Sequence, residues 1–240
     1  MMNYQADKNK GAFNVPFENR KQAGDALAEV LNNCLKNQQL TDAFVLALPR
    51  GGVPVASQIA QRLSNDLDVL IVRKLGVPWQ KEVAMGAIAS GDIKVFNDDV
   101  LTMSRVTKAQ LAQVIAKEEA ELKRREATYR GDRPWPVLKG KTVILVDDGI
   151  ATGATMLSAI MSLRKQNVAK IIVAIPVASK DALQRIHDES DEVICLVTPE
   201  YFGGVGSWYE YFDQTSDATV KSLLETAWQR QRPKTADDKK

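Results

Sequence analysis

The stretch Asp147-Asp148-Gly149-Ile150-Ala151-Thr152-Gly153-Ala154-Thr155 pairs two adjacent carboxylates with a loop of small and hydroxyl-bearing residues. Residues 143–146 before it are apolar, the pattern of a strand buried on both faces of a sheet. Residues 156–165 after it read as a helix. A strand, a tight turn and a helix start make an anion site, because free backbone N–H groups converge there and the helix dipole favours negative charge. Small residues are needed where backbone approaches a ligand closely. Carboxylates repel phosphates, so the ligand must offer Asp147 and Asp148 something else. A sugar diol would donate hydrogen bonds to them, and a magnesium ion would draw them electrostatically. Helix N-caps are the plainer account of an Asp-Asp pair. The G-x-G-x-x-G of a dinucleotide loop and the G-K-[ST] of a P-loop are both absent here.

On these residues the sequence resembles the type I phosphoribosyltransferases, whose hallmark is an apolar strand, two acids and a Thr/Gly-rich loop. The match falls on Asp147, Asp148, Ile150, Thr152, Gly153 and Thr155. Gly149 departs from it, standing where a branched apolar residue is usual. The resemblance implies that Ala151, Thr152, Gly153, Ala154 and Thr155 wrap the 5-phosphate of phosphoribosyl pyrophosphate (PRPP). It also implies that Asp147 and Asp148 hold the ribose hydroxyls, touching Mg2+ only indirectly, through those hydroxyls or water.

A second strand–loop–helix unit precedes this one. Residues 43–48 form an apolar strand pattern, Pro49-Arg50-Gly51-Gly52 a Gly-rich turn, and 53–63 a helix pattern. Arg50 would stand beside exposed N–H groups, a reasonable seat for a pyrophosphate. In the resembled family this loop binds the pyrophosphate, often through a cis peptide, which implicates Arg50 and Gly51. Residues 67–72 read as a third strand ending in Arg73-Lys74, two cations at the mouth of an open sheet, which the family sets against phosphate oxygens. Residues 75–85 lack periodicity and correspond in position to the family's flexible loop, a lid that excludes water from the reacting centre.

Residues 86–90 and 93–96 form a hairpin pattern around Gly91-Asp92, and 107–127 a long charged helix. Strand patterns recur at 171–177 and 192–197, with helix patterns at 19–36, 179–188 and 217–230. The alternation predicts an α/β fold, a doubly wound parallel sheet of about five strands, with a helical insertion at 97–135 and a small hood at 198–230. Residues 1–18 and 231–240 are expected to be loosely ordered, leaving 19–230 as the domain.

The hood sequence 198–212 carries several aromatics on a Gly-rich loop, poor core material but suited to a flat ring. It loosely resembles the base-side hood of the hypoxanthine-guanine branch, which makes Phe202 and Trp208 candidate acceptor contacts. That branch has an acid where this chain has Ala151, so proton transfer at the acceptor falls elsewhere or is not needed. The resemblance therefore implies a phosphoribosyltransferase that moves the phosphoribosyl group of PRPP to a nitrogenous, purine-like base and releases pyrophosphate. Asp147, Asp148 and Arg50 would be its catalytic residues and Mg2+ its cofactor. Two alternatives share the fold: a PRPP-binding sensor without catalysis, and PRPP synthesis, for which a longer chain is expected.

The 240 residues are 45% hydrophobic and 26% charged, ordinary for a globular domain. A net charge of +2 without a basic stripe argues against nucleic-acid or membrane partners. No apolar run reaches membrane-spanning length, and the polar start is unlike a signal peptide. A cytoplasmic protein is expected. Cys34 and Cys195 lack metal or redox spacing. The 107–127 helix is a candidate face for a homodimer.

Overall fold

The computed structural model describes residues 15–34 and 40–231. The expected loose start before residue 15, the tail from 232, and residues 35–36 of the first helix pattern lie outside the described residues. In chain order the elements are α1 (Arg20–Cys34), β1 (Phe44–Ala47), α2 (Gly52–Leu63), β2 (Asp66–Val69), β3 (Val72–Val77), β4 (Gln80–Ala89), β5 (Ile93–Phe96), α3 (Asp98–Ser104), α4 (Lys108–Arg130), β6 (Thr142–Val146), α5 (Ala154–Lys165), β7 (Lys170–Val177), α6 (Lys180–Glu189), β8 (Glu192–Val197) and α7 (Asp217–Gln231).

Five strands form one sheet in the order β2-β1-β6-β7-β8, and every neighbouring pair is parallel. The apolar strand residues divide by parity, as a two-residue side-chain period requires. Val45, Ala47, Ile144, Val146, Ile172 and Ala174 face a core shared with α1, α2 and α7. Leu46, Val143, Leu145, Ile171, Val173 and Ile175 face a second core shared with α5 and α6. Helices thus cover both faces, which is the expected doubly wound arrangement. The order reverses between β1 and β6, so the crevice beyond their carboxyl ends is the topological switch point where open α/β sheets bind ligands.

The expected strand 67–72 is divided. β2 ends at Val69, and β3 begins a separate antiparallel sheet with β4 and β5. The aperiodic 75–85 stretch is the far half of the β3–β4 hairpin, with register shifts on both sides of Gly76. Those shifts scramble the alternation that would have marked the strands. Trp79 is exposed at the hairpin's turn.

The helical insertion holds two helices, not one. Asn97 accepts the Val100 N–H at the start of α3, and Thr107 with Gln110 forms a capping box at the start of α4. On α4, Leu111, Val114 and Ile115 pack against the main core. The helix runs beyond 127 because Tyr129 and Arg130 are its anchors. The Tyr129 hydroxyl donates to Asp217 Oδ1 at 2.7 Å. Trp228 on α7 donates to the Leu67 carbonyl, which joins α7 to the edge strand of the sheet.

Arg130 lies 3.1 Å from Asp68 through Nε, with the two side chains 5% and 2% exposed. That contact is a Coulombic pairing too misaligned for a hydrogen bond, while Arg130 Nη2 donates to the Pro134 carbonyl. Burial pushes the Asp68 carboxyl up to about 6, against the pull of Arg130. A folded pKa above the unfolded one means the folded chain binds the extra proton. Asp68 therefore favours the fold increasingly as pH falls from above about 6 toward 4. Arg130 stabilises only the ionised form. Arg130→Met should thus cost up to about 2 kcal/mol in urea unfolding at pH 7.5, because one proton can open the gap by only about 1.4 kcal/mol per pH unit above about 6. The gap to wild type should narrow as pH falls through the mutant's still higher Asp68 pKa, and be small below about 6. A gap that widens on acidification would refute this assignment.

Candidate functional site

The two loops picked out in the sequence follow β1 and β6, the neighbours at the switch point. The Pro49–Arg50 peptide is cis, the feature that the resemblance implied for this loop. The loops approach so closely that side chains are excluded. A Cβ at Gly51 would lie 2.0 Å from Asp148 Oδ2, and one at Gly52 would lie 2.7 Å from the Val146 carbonyl oxygen. Gly153 takes φ of +77° at the start of α5, where no side chain caps the helix. Thr152, Ala154 and Thr155 are exposed around that open start, the arrangement an anion requires. The loop is braced from behind. Ser179 Oγ donates to the Ala151 carbonyl, and Arg185 Nη2 donates to the Thr152 carbonyl.

Asp147 and Asp148 sit at the end of β6, and Asp147 Oδ1 accepts the Asp148 N–H at 2.9 Å. Burial, and then the neighbouring carboxylate, hold Asp147 well above the usual carboxyl range. Burial raises Asp148 as well, but Arg20 opposes it. Arg20 Nε donates to Asp148 Oδ2 at 2.8 Å, so Asp148 is the member of the pair better able to keep its charge. Among the described residues no group of three or more His, Cys, Asp or Glu side chains converges to hold a metal ion. Two carboxylates, one of them already paired, suit outer contacts to an ion carried by a ligand's own oxygens better than a resident metal.

The other expected site residues are placed unevenly. Arg50 lies beside the crevice, with Nη1 3.6 Å from Asp217 Oδ1. Arg73 and Lys74 lie within β3 rather than at the end of a sheet strand. Their side chains turn to Glu118 and Glu82 instead of the acid pair. The Trp208 indole donates to the Phe202 carbonyl at 2.9 Å and packs against the main core, so this ring braces the hood. Phe202 is half-buried, while Tyr201 and Tyr211 are the widely exposed rings of the hood.

Three contributors were not legible in the sequence: Arg20, Tyr209 and Val205. The Tyr209 hydroxyl donates to the Asp148 carbonyl oxygen at 2.6 Å. Phe17, inside the stretch expected to be loose, is buried; its N–H donates to the Trp208 carbonyl, and its own carbonyl accepts the Glu210 N–H. Val205 explains the departure at Gly149, because its Cγ1 lies 2.5 Å from where a Gly149 Cβ would be. The branched side chain missing from the loop is supplied by the hood.

A profile of the phosphoribosyl transferase domain family matches residues 17–210. The crystal structure of TT1426 from Thermus thermophilus is similar, with 38% identity, a TM-score of 0.79, and coverage of 87% of this chain and 97% of that one. The chain belongs to the phosphoribosyl transferase domain family. It is also 43% identical over 213 residues to Rv0571c of Mycobacterium tuberculosis, a protein provisionally named a phosphoribosyl transferase. That match covers 88% of this chain and 47% of the relative. A ribose-phosphate pyrophosphokinase of Chlorobaculum tepidum is 25% identical, over 95% of this chain and 54% of its own length. The chain therefore spans about half the length of the curated relatives it matches.

The packing of Val205 on Gly149 can be tested by thermodynamics. Gly149→Ala should destabilise by about 1–3 kcal/mol through overpacking, read by urea unfolding. Adding Val205→Ala should recover most of that loss, although Val205→Ala alone also destabilises. Simple additivity of the two losses would show that they do not share the space.

Proposed function

We propose that this protein transfers the phosphoribosyl group of PRPP to a nitrogenous, purine-like acceptor and releases pyrophosphate. The observation that carries the proposal is the convergence, at one switch point, of an open helix start, a paired acid couple and a glycine-tight loop. The exposed start of α5 suits the 5-phosphate. Asp148, and Asp147 beside it, suit the ribose hydroxyls. The Arg50-Gly51-Gly52 loop suits the pyrophosphate.

In the reaction the bond from the sugar C1 to the pyrophosphate oxygen breaks, and a bond to the acceptor nitrogen forms. Negative charge grows on the departing pyrophosphate. The loose Arg50 contact to Asp217 is one that such an anion can displace, placing a guanidinium where charge develops. Magnesium, carried on the ligand's oxygens with Asp147 and Asp148 as outer acceptors, would add positive charge at the same end. Ala151 presents no acid to the acceptor, so the acceptor's proton leaves to solvent or to another group. The hood's exposed rings, Tyr201 and Tyr211, together with half-buried Phe202, offer flat apolar surface to a ring.

Replacing both acids with amides should separate binding from stability. A hydrogen bond to a charged group contributes about 1.5–3 kcal/mol, so Asp147→Asn with Asp148→Asn should weaken magnesium-PRPP binding at least about tenfold in calorimetry. The variant should still unfold in one cooperative thermal transition, because relief of repulsion between the buried carboxyls offsets the loss of Arg20's charged partner. Unchanged PRPP affinity in the double mutant would refute the site assignment.

A further inference from the structure

The part of the hood before α7, residues 198–216, contains Glu200, Glu210 and Asp213 but no lysine, arginine or histidine. The cation that stands against it comes from the first turn of α1. Arg20 is nearly buried, and its guanidinium makes contacts of two kinds. Toward the hood, Nη1 donates to the Asp213 carbonyl at 2.8 Å, and the guanidinium carbon lies 4.0 Å from the centre of the Phe212 ring. Toward the site, Nε donates to Asp148 Oδ2 at 2.8 Å.

The geometry constrains Asp148 from every side. Its Oδ2 occupies the space a Gly51 side chain would need, its carbonyl accepts the Tyr209 hydroxyl, and its N–H is bonded to Asp147. Arg20 is the partner of the carboxylate itself. A charge-assisted bond of this length is strong and directional, and it fixes the oxygen between the two ligand loops. An arginine needed only to brace the hood would be satisfied by Phe212 and the Asp213 carbonyl.

We propose that Arg20 is a positioning residue: through its bond to Asp148 it sets that carboxylate for the sugar hydroxyls of the ligand. Its hood contacts tie the setting of the acid to the seating of the hood. This rests on the reading of Asp147 and Asp148 as the sugar-binding acids. The group touched by substrate is Asp148, and Arg20 acts through it.

A double-mutant cycle separates this role from a bracing one. Magnesium-PRPP binding is measured by calorimetry on wild type, Arg20→Gln, Asp148→Asn and the combined variant. Arg20→Gln should weaken binding about tenfold or more in the wild-type background, the size expected when a charged hydrogen bond is lost. It should weaken binding less than about threefold once Asp148 is Asn. Arg20→Lys, which keeps the charge but not the fork, should fall between wild type and Arg20→Gln, and it takes over the cycle if Arg20→Gln does not fold. Equal losses in both backgrounds, or no loss in either, would overturn the proposal while leaving the PRPP site intact. Failure of the wild type to bind PRPP would overturn the site reading itself, and this inference with it.

Discussion

Setting two carboxyls side by side at the buried end of β6 costs the folded chain electrostatic free energy, and the surrounding structure is arranged around that cost. Asp147 meets it by a raised pKa. Asp148 meets it with Arg20, reached across 128 residues of sequence. The hydroxyl of Tyr209 and the glycines of the β1 loop close in on the same acid. Buried acids with raised pKa values held in a crevice are typical of functional sites.

The parallel sheet supplies the frame. Because β1 and β6 are neighbours and run the same way, their two loops emerge at one edge and meet without further design. The second sheet and α3–α4 stand to one side, tied back by the Asp68–Arg130 pair and by Tyr129 on Asp217. The hood is held by backbone bonds to residues 17 and 18, by Trp208 packed on the main core, and by Val205 in the notch at Gly149. None of these ties is local in sequence, so the hood is seated only when the whole chain is folded.

That difference explains what could be read beforehand. The five-strand sheet, the acid pair and both loops were legible because each depends on a short run: an apolar strand, followed by two acids and small residues at one loop and by Pro49-Arg50-Gly51-Gly52 at the other. The split between β2 and β3 was not, since Leu70 and Ile71 are buried like strand residues and continue the apolar run without belonging to a strand. The hairpin over 75–85 was hidden by its bulges. Helix α3 did carry a signal, Asn97 followed by two aspartates, but seven residues give too little periodicity to separate it from a connection. Arg20 carried none, because an arginine at a helix start looks solvated until its partners at 148, 212 and 213 are brought to it. Arg73 and Lys74 are legible as cations but not in their pairing. Two cations after an apolar run suggest a phosphate seat, yet each answers a glutamate of its own side of the molecule.

Pyrophosphate release distinguishes group transfer from ligand recognition alone. With PRPP and magnesium present, release would be followed across a panel of purines, pyrimidines and other nitrogenous rings. A transferase should release pyrophosphate in proportion to the concentration of one class of acceptor, in step with formation of its ribosyl phosphate. PRPP binding without release for any acceptor would contradict transfer and mark the chain as a PRPP sensor.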